Sequence, residues 1–296
     1  MWRKRGYDAK IVMASIFLLT QALTAGEVFR FAPRDGSRFI RTLRRTFRVE
    51  TDGVVRTEST ILEASFAFRQ IASGYRLVMA PRSFRYIVND HDVPSPVWGL
   101  IRGRDLRMEF NVVGRLTNMS GYDDIDELLT AQRRALSETN PSFHLDRIAI
   151  GEEERRNWNE RILLWLSQPA DPGTKVEFDS RERSFTGEPV KSHTRMHVVR
   201  KKNCDGRDCV ITRYSMVPDV GGTIKRANEY ANIDTIDATA SEALEQLIEP
   251  ATMMPHYEKL TWQMSAKSAG AEEGRGISLV TLSTFTYPAA KPQPRH

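Results

Sequence analysis

The sequence predicts a β-rich α+β fold, in which two similar antiparallel-sheet halves carry helices packed against the sheets. Three observations predict it. Several apolar-rich stretches end in turns built from Gly, Asp, Asn or Pro, which reads as half-buried strands joined by hairpins. Helical spacing is confined to a few stretches, and the strand–helix alternation of a parallel sheet is not visible. The order of turns and elements in the first half recurs in the second, so an internal duplication is expected.

The first residues read as an export signal. Arg3, Lys4 and Arg5 precede the apolar run Ile11 to Leu19, and small residues follow at Ala22, Thr24, Ala25 and Gly26. A basic start, a short apolar stretch and a small-residue exit are what signal peptidase recognises. The run is short of the roughly 20 residues a membrane-spanning helix needs. Cleavage near Gly26, no transmembrane segment in the mature chain and a location in the periplasm or outside the cell are expected. The expected organisation is a signal over 1–25, a first β-rich half with a helix over 26–150, and a connecting helix over 151–168. A second half with a stapled hairpin and a helix covers 169–288, and a flexible tail covers 289–296.

The repeat rests on turn chemistry. Pro33-Arg34-Asp35-Gly36 opens one half and Pro169-Ala170-Asp171-Pro172-Gly173 the other, each a turn that releases a strand. In the first half Phe39 to Val49 leads to Thr51-Asp52-Gly53, and then Ile61 to Ile71 and Tyr75 to Ala80 flank Ala72-Ser73-Gly74. In the second half Val176 to Phe185 precedes a hairpin whose arms are Met196 to Arg200 and Val210 to Met216. Helices are expected from Ile125, Leu128, Leu129 and Leu136, and from Ile236, Ala240, Leu244, Leu247 and Ile248, the latter ended by Pro250. Between the halves Trp158, Ile162, Trp165 and Leu166 form one stripe of an amphipathic helix. Leu260 to Met264 and Ile277 to Tyr287 return to strands, and the three prolines from Pro288 onward loosen the end of the chain.

Composition bounds the function. An apolar content of 40% with 27% charged residues is that of an ordinary globular chain. Residues 1–25 carry three of the five net positive charges, leaving the rest of the chain near +2. Nucleic acid therefore loses its electrostatic signature. Cys204 and Cys209 bracket Asp205-Gly206-Arg207-Asp208 at a hairpin mouth, and an even count in an oxidising compartment favours a structural disulfide.

No catalytic or cofactor motif stands out, so no cofactor, no metal and no enzymatic activity are expected. His193 and His197 have zinc spacing for a helix, but their surroundings read as a strand, where four residues span about 13 Å. Asp90-His91-Asp92 reads as turn chemistry. A hydrolase would need converging acid and base groups, with His91 or His144 as the candidates.

The Arg-rich strand is the most unusual local feature. Period two places Arg41 and Arg45 with Phe39, Leu43, Phe47 and Val49, and Arg38, Arg44 and Arg48 with Ile40. The simpler reading is an edge strand whose charges oppose aggregation. The other is a mixed face lining a wet cavity, with Arg41 and Arg45 meeting an anionic head group. The leading expectation is an exported, non-enzymatic protein whose sheet curls around a lipid-like or amphiphilic ligand or an envelope component. An envelope protein-interaction module without a cavity is the alternative.

Overall fold

The alternating stretches form strands, and the strands form one sheet. The computed structural model describes residues 27–51, 53–121, 123, 127, 131, 155, 158–159, 164–183, 189–219, 236–268 and 275–288. The expected signal, the helix built on Ile125 to Leu136, most of the connecting helix, His144 and the tail lie outside them. The strands of the first half are β1 (Arg38–Thr51), β2 (Val54–Ile71), β3 (Gly74–Val88), β4 (His91–Val93), β5 (Leu106–Asn111) and β6 (Leu116–Ser120). Those of the second are β7 (Lys175–Arg183), β8 (Pro189–Cys204), β9 (Arg207–Pro218), β10 (Ile236–Glu249), β11 (Met254–Ser268) and β12 (Arg275–Thr286). A short helix α1 (Pro96–Ile101) joins β4 to β5. Helical residues are few among those described.

The sheet runs β6-β5-β3-β2-β1-β12-β11-β10-β9-β8-β7, with β4 paired to β3, and its ladders are antiparallel. Apart from the short β4, this is a ring of consecutive neighbours opened between β6 and β7. The two expected antiparallel halves thus share a single sheet. β1 and β12 fuse the halves in unbroken register from Ile40↔Thr286 to Glu50↔Gly276. The first half runs outward from that seam and the second runs inward to it. The recurring turn order reflects two hairpin meanders and does not divide the sheet.

Two expectations are corrected. β1 is a central strand, paired along its length with β2 and β12, and not an edge. Ile236 to Glu249 is the strand β10, not a helix, and pairs with both β9 and β11. Its apolar residues at 236, 240, 244 and 248 are four apart, a spacing that fits one helix stripe and one strand face equally. Backbone partners on both sides decide the matter in favour of the strand. The Asp90-His91-Asp92 stretch is a tight hairpin: Asn89 and Asp90 take left-handed φ of 46° and 65° and release β4, the geometry of a two-residue turn.

The sheet is rolled. β5 and β10 are six places apart in strand order, roughly 29 Å on a flat sheet. Yet Arg30 N–H donates to Pro250 O, just past β10, at 2.9 Å, while the ring of its neighbour Phe31 lies 5.2 Å from that of Phe110 on β5. The segment 27–33 therefore crosses the concave side, and the sheet wraps it. Phe29 packs against Trp165 at 5.2 Å, and Phe31 sits among Phe68, Tyr75, Phe110 and Trp158. Phe39, Phe66, Leu77, Leu116, Met196, Val198 and Ile248 complete this core. It fills one end of the roll, where β1 begins and β2 ends.

Candidate functional site

Register decides which side chains share the concave face. Phe39 faces Phe66, which faces Met79, so alternate residues from Phe39 onward point inward. Arg41 is next along β1 and meets a polar row laid across four strands. Its Nε and Nη2 donate to Ser283 Oγ at 3.1 and 2.8 Å. Its Nη2 stands 3.5 Å from Glu258 Oε2, and Gln246 Nε2 donates to Glu258 Oε1 at 2.8 Å. Ser283 and Gln246 are buried. The guanidinium also lies 5.6 Å from the centre of the Phe285 ring. Hydrogen bonds to charged groups are each worth about 1.5–3 kcal/mol when formed and cost as much when broken inside a protein.

Beyond this row the concave face stays apolar but is no longer filled. Leu43, Phe47, Leu62, Leu260, Trp262 and Leu279 are each half-buried, and register places them on the same face. Arg45 lies between Leu43 and Phe47 and is exposed. Among the described residues no hydrogen-bonding or ionic partner reaches it. Of the two arginines singled out from the sequence, Arg41 is engaged internally by Glu258 and Ser283, and Arg45 has no such partner among the described residues.

The opposite face carries a feature that strand periodicity did not reveal. A half-open groove of about 520 Å³ is lined by Ile40, Ala67, Val78 and Ala80, with Arg38 and Arg82 also in its lining. Small side chains on three adjacent strands leave the space. Ser65 faces Ala80 and Ala67 faces Val78, while Arg38 and Ile40 on β1 face Ala67 and Ser65. Arg82 projects from a bulge, since Glu63 pairs Ser83 and Ala64 pairs Pro81. The bulge also accommodates a proline inside a central strand. Arg82 stands 3.7 Å from Glu63, and among the described residues no polar partner reaches Arg38. Elsewhere this outward face bears Arg44, Arg48, Arg76, Glu109, Arg213 and Glu245, with Arg76–Glu109 and Arg213–Glu245 as ion pairs. A lipid-facing barrel wall is apolar, and this one is charged. No helix among the described residues is long and apolar enough to cross a membrane.

Cys204 and Cys209 are both buried, and their sulfurs are not bonded. Cys204 pairs with Arg207 and Cys209 with Lys202, so the two cysteines are diagonal and not directly opposite. Burial pushes both thiols up from their ordinary value. His256, whose imidazole burial and the nearby Arg207 hold below its ordinary value, completes a group of three whose donor atoms lie within 4.8 Å of one another. The sequence offers no spacing signal for His256.

Among the described residues, the other histidines weighed from the sequence do not converge. His91 is exposed, its Nδ1 2.7 Å from Asn89 O. His193 is exposed on β8, with Nδ1 2.9 Å from Asp179 Oδ1. It joins Glu177 and Arg195 in a ladder of surface charges.

No family model matches the sequence, and no curated protein matches it. Among solved structures, a Bacteroides fragilis protein with a YmcC-like fold aligns over 87% of this chain and 97% of its own, at 8% identity and a TM-score of 0.23. A DUF1329 family protein from Desulfovibrio piger aligns over 95% and 94%, at 12% identity and a TM-score of 0.14. The translocator domain of the autotransporter NalP from Neisseria meningitidis aligns over 93% and 95%, at 9% identity and a TM-score of 0.19. Scores of this size do not define a shared fold, and what the site does rests on its own geometry.

Proposed function

We propose that the protein is exported and binds an amphiphilic ligand with an anionic head group, without transforming it. The observation that carries this reading is the outward groove. Its volume, about 520 Å³, falls within the range of small-molecule sites, which are mostly apolar with a few placed polar groups. Ile40, Ala67, Val78 and Ala80 would take an acyl or other apolar portion, and Arg38, which has no polar partner among the described residues, would meet the head group. The export part of the reading rests on the residues from Arg3 to Gly26.

A second placement is favoured by one observation, the unfilled apolar stretch around Arg45 on the concave face. There the same class of ligand would lie along Leu43, Phe47 and Trp262. Arg41 would act by shaping the polar row beneath it, since its guanidinium already has a carboxylate partner.

Native mass spectrometry of the chain purified from an exporting host, followed by solvent extraction, tests the function. A released lipid-like mass supports it. A bare chain that also takes up no lysophospholipid or fatty acid in a fluorescence displacement assay rejects it. Ala67→Trp and Arg38→Ala place the ligand in the outward groove if they abolish uptake while Arg45→Ala does not. The reverse pattern places it on the concave face.

A further inference from the structure

We propose that Cys204, Cys209 and His256 form a binding site for a thiophilic d10 cation, Zn²⁺ or Cu⁺. The two sulfurs and one imidazole nitrogen lie within 4.8 Å of one another. Around a tetrahedral ion with metal–sulfur bonds of ~2.3 Å, two sulfurs stand roughly 3.8 Å apart. The three donors thus close on an ion by a movement of about 1 Å.

Two backbone devices hold the three donors. The β8–β9 turn places Asp205 and Gly206 at left-handed φ of 52° and 82°. Asn203 Oδ1 locks this turn by accepting from Gly206 N–H at 2.9 Å. The hairpin thereby holds Cys204 and Cys209 diagonally across its mouth. His256 comes from a bulge. Leu247 faces Tyr257 and Ile248 faces Pro255, so His256 is the residue left over, and bulges re-aim side chains in this way. The Tyr287 ring packs on the imidazole at 4.7 Å, with its hydroxyl anchored to Pro255 O at 2.6 Å.

His256 Nε2 is withdrawn from solvent and has no hydrogen-bond partner among the described residues. A buried polar atom without a partner is destabilising, and donation to a cation satisfies it. Two sulfurs and an imidazole select soft or borderline ions over Mg²⁺ and Ca²⁺. Binding is a proton exchange: each thiol releases its proton to solvent, both thiolates and the neutral imidazole donate electron pairs, and no electron is transferred. Three protein ligands leave a fourth position open. The Glu249 carboxylate, buried and 3.5 Å from Arg207 Nη1, stands near enough to act on all three donors electrostatically.

The test uses the full chain, reduced and kept anaerobic so that both sulfurs are available. It is titrated with Co²⁺ and Zn²⁺ against a chromophoric chelator, and with Cu⁺ against bathocuproine disulfonate. The expected result is one ion per chain and a thiolate-to-cobalt charge-transfer band in the near ultraviolet. Tighter retention of Cu⁺ identifies the ion as copper, tighter retention of Zn²⁺ identifies it as zinc, and either supports the site. Cys204→Ser should weaken the band. His256→Ala should lower affinity by more than about 100-fold, beyond the 10–100-fold that loss of an outer-shell partner costs. A reduced, folded wild-type chain that gives no charge-transfer band overturns the proposal without recourse to any variant. Unchanged affinity in a folded His256→Ala protein overturns it as well.

Discussion

Asn159 grips Leu116 as a neighbouring strand would. Its Oδ1 accepts from Leu116 N–H at 2.9 Å, and its Nδ2 donates to Leu116 O at 3.1 Å. Leu116 opens β6, one of the two edges of the sheet, and its side chain is buried in the core. A single amide thus blocks the point at which a foreign strand would add.

Asn159→Ala is therefore expected to destabilise the protein by about 1–3 kcal/mol, because two backbone groups lose their partners. It should also raise self-association. Asn159→Asp keeps the acceptor and loses the donor, so it should fall between the two. Urea unfolding with analytical ultracentrifugation checks both effects, and a monomeric alanine variant of unchanged stability would reject the role.

Gly114 adopts φ of +83°, and a Cβ placed there would stand 2.5 Å from both Cβ and Cγ of Phe31. Left-handed strain and overpacking act together, so Gly114→Ala should cost about 2–3 kcal/mol. Gly173, at φ of +93° with open space around its Cβ position, supplies the control. Gly173→Ala should cost about 1 kcal/mol from strain alone. Equal losses in chemical denaturation would show that Phe31 does not crowd Gly114.

Arg41→Ala should be costlier than Arg45→Ala, though the two lie on one face of one strand. Removing Arg41 strips Ser283 of a donor and Glu258 of its cation, a loss of about 1.5–3 kcal/mol. Arg45 is exposed, and its removal should stay within about 0.5 kcal/mol. A double-mutant cycle with Glu258→Gln should show coupling between Arg41 and Glu258. Additive losses would argue against the row.

Asp92 accepts from Arg85 Nε at 3.1 Å and Nη2 at 2.7 Å, and these hydrogen bonds hold its carboxyl below the ordinary range. With the folded value below the unfolded one, the pair's contribution is present above the unfolded carboxylate value. It is lost as pH falls through the folded one. Both side chains are exposed, so the site titration is the readout. Carboxyl ¹³C shifts should show a depressed Asp92 midpoint that returns toward ordinary values in Arg85→Ala, and an unmoved midpoint would refute the pairing.

Period two was legible wherever a strand had one buried face. The sorting of Arg41 and Arg45 from Arg38, Arg44 and Arg48 follows from alternation alone and matches the register of β1. Strand neighbours were not legible. β1 alternates cations with apolar residues, which reads as an edge. Its actual companion, β12, lies more than two hundred residues away, as the Arg41–Ser283 separation of 242 shows. β10 was misread because a four-residue repeat is common to helix and strand, and only pairing with β9 and β11 resolves it. His256 carries no spacing signal, since a bulge between Leu247 and Ile248, not a motif, brings it toward Cys204 and Cys209.

The β1–β12 seam has a consequence for how the chain reaches this state. The other ladders between long strands join consecutive segments and can form as local hairpins. The seam must bring Ile40 to Thr286, a closure whose entropic cost grows only logarithmically with length but which raises contact order and slows folding. Until synthesis has passed Thr286, β1 has β2 on one side and nothing on the other. Arg38, Arg41, Arg44, Arg45 and Arg48 then line a strand that is an edge for as long as the chain is incomplete. Their mutual repulsion between copies guards it during that interval, and completion of the sheet gives Arg41 its carboxylate.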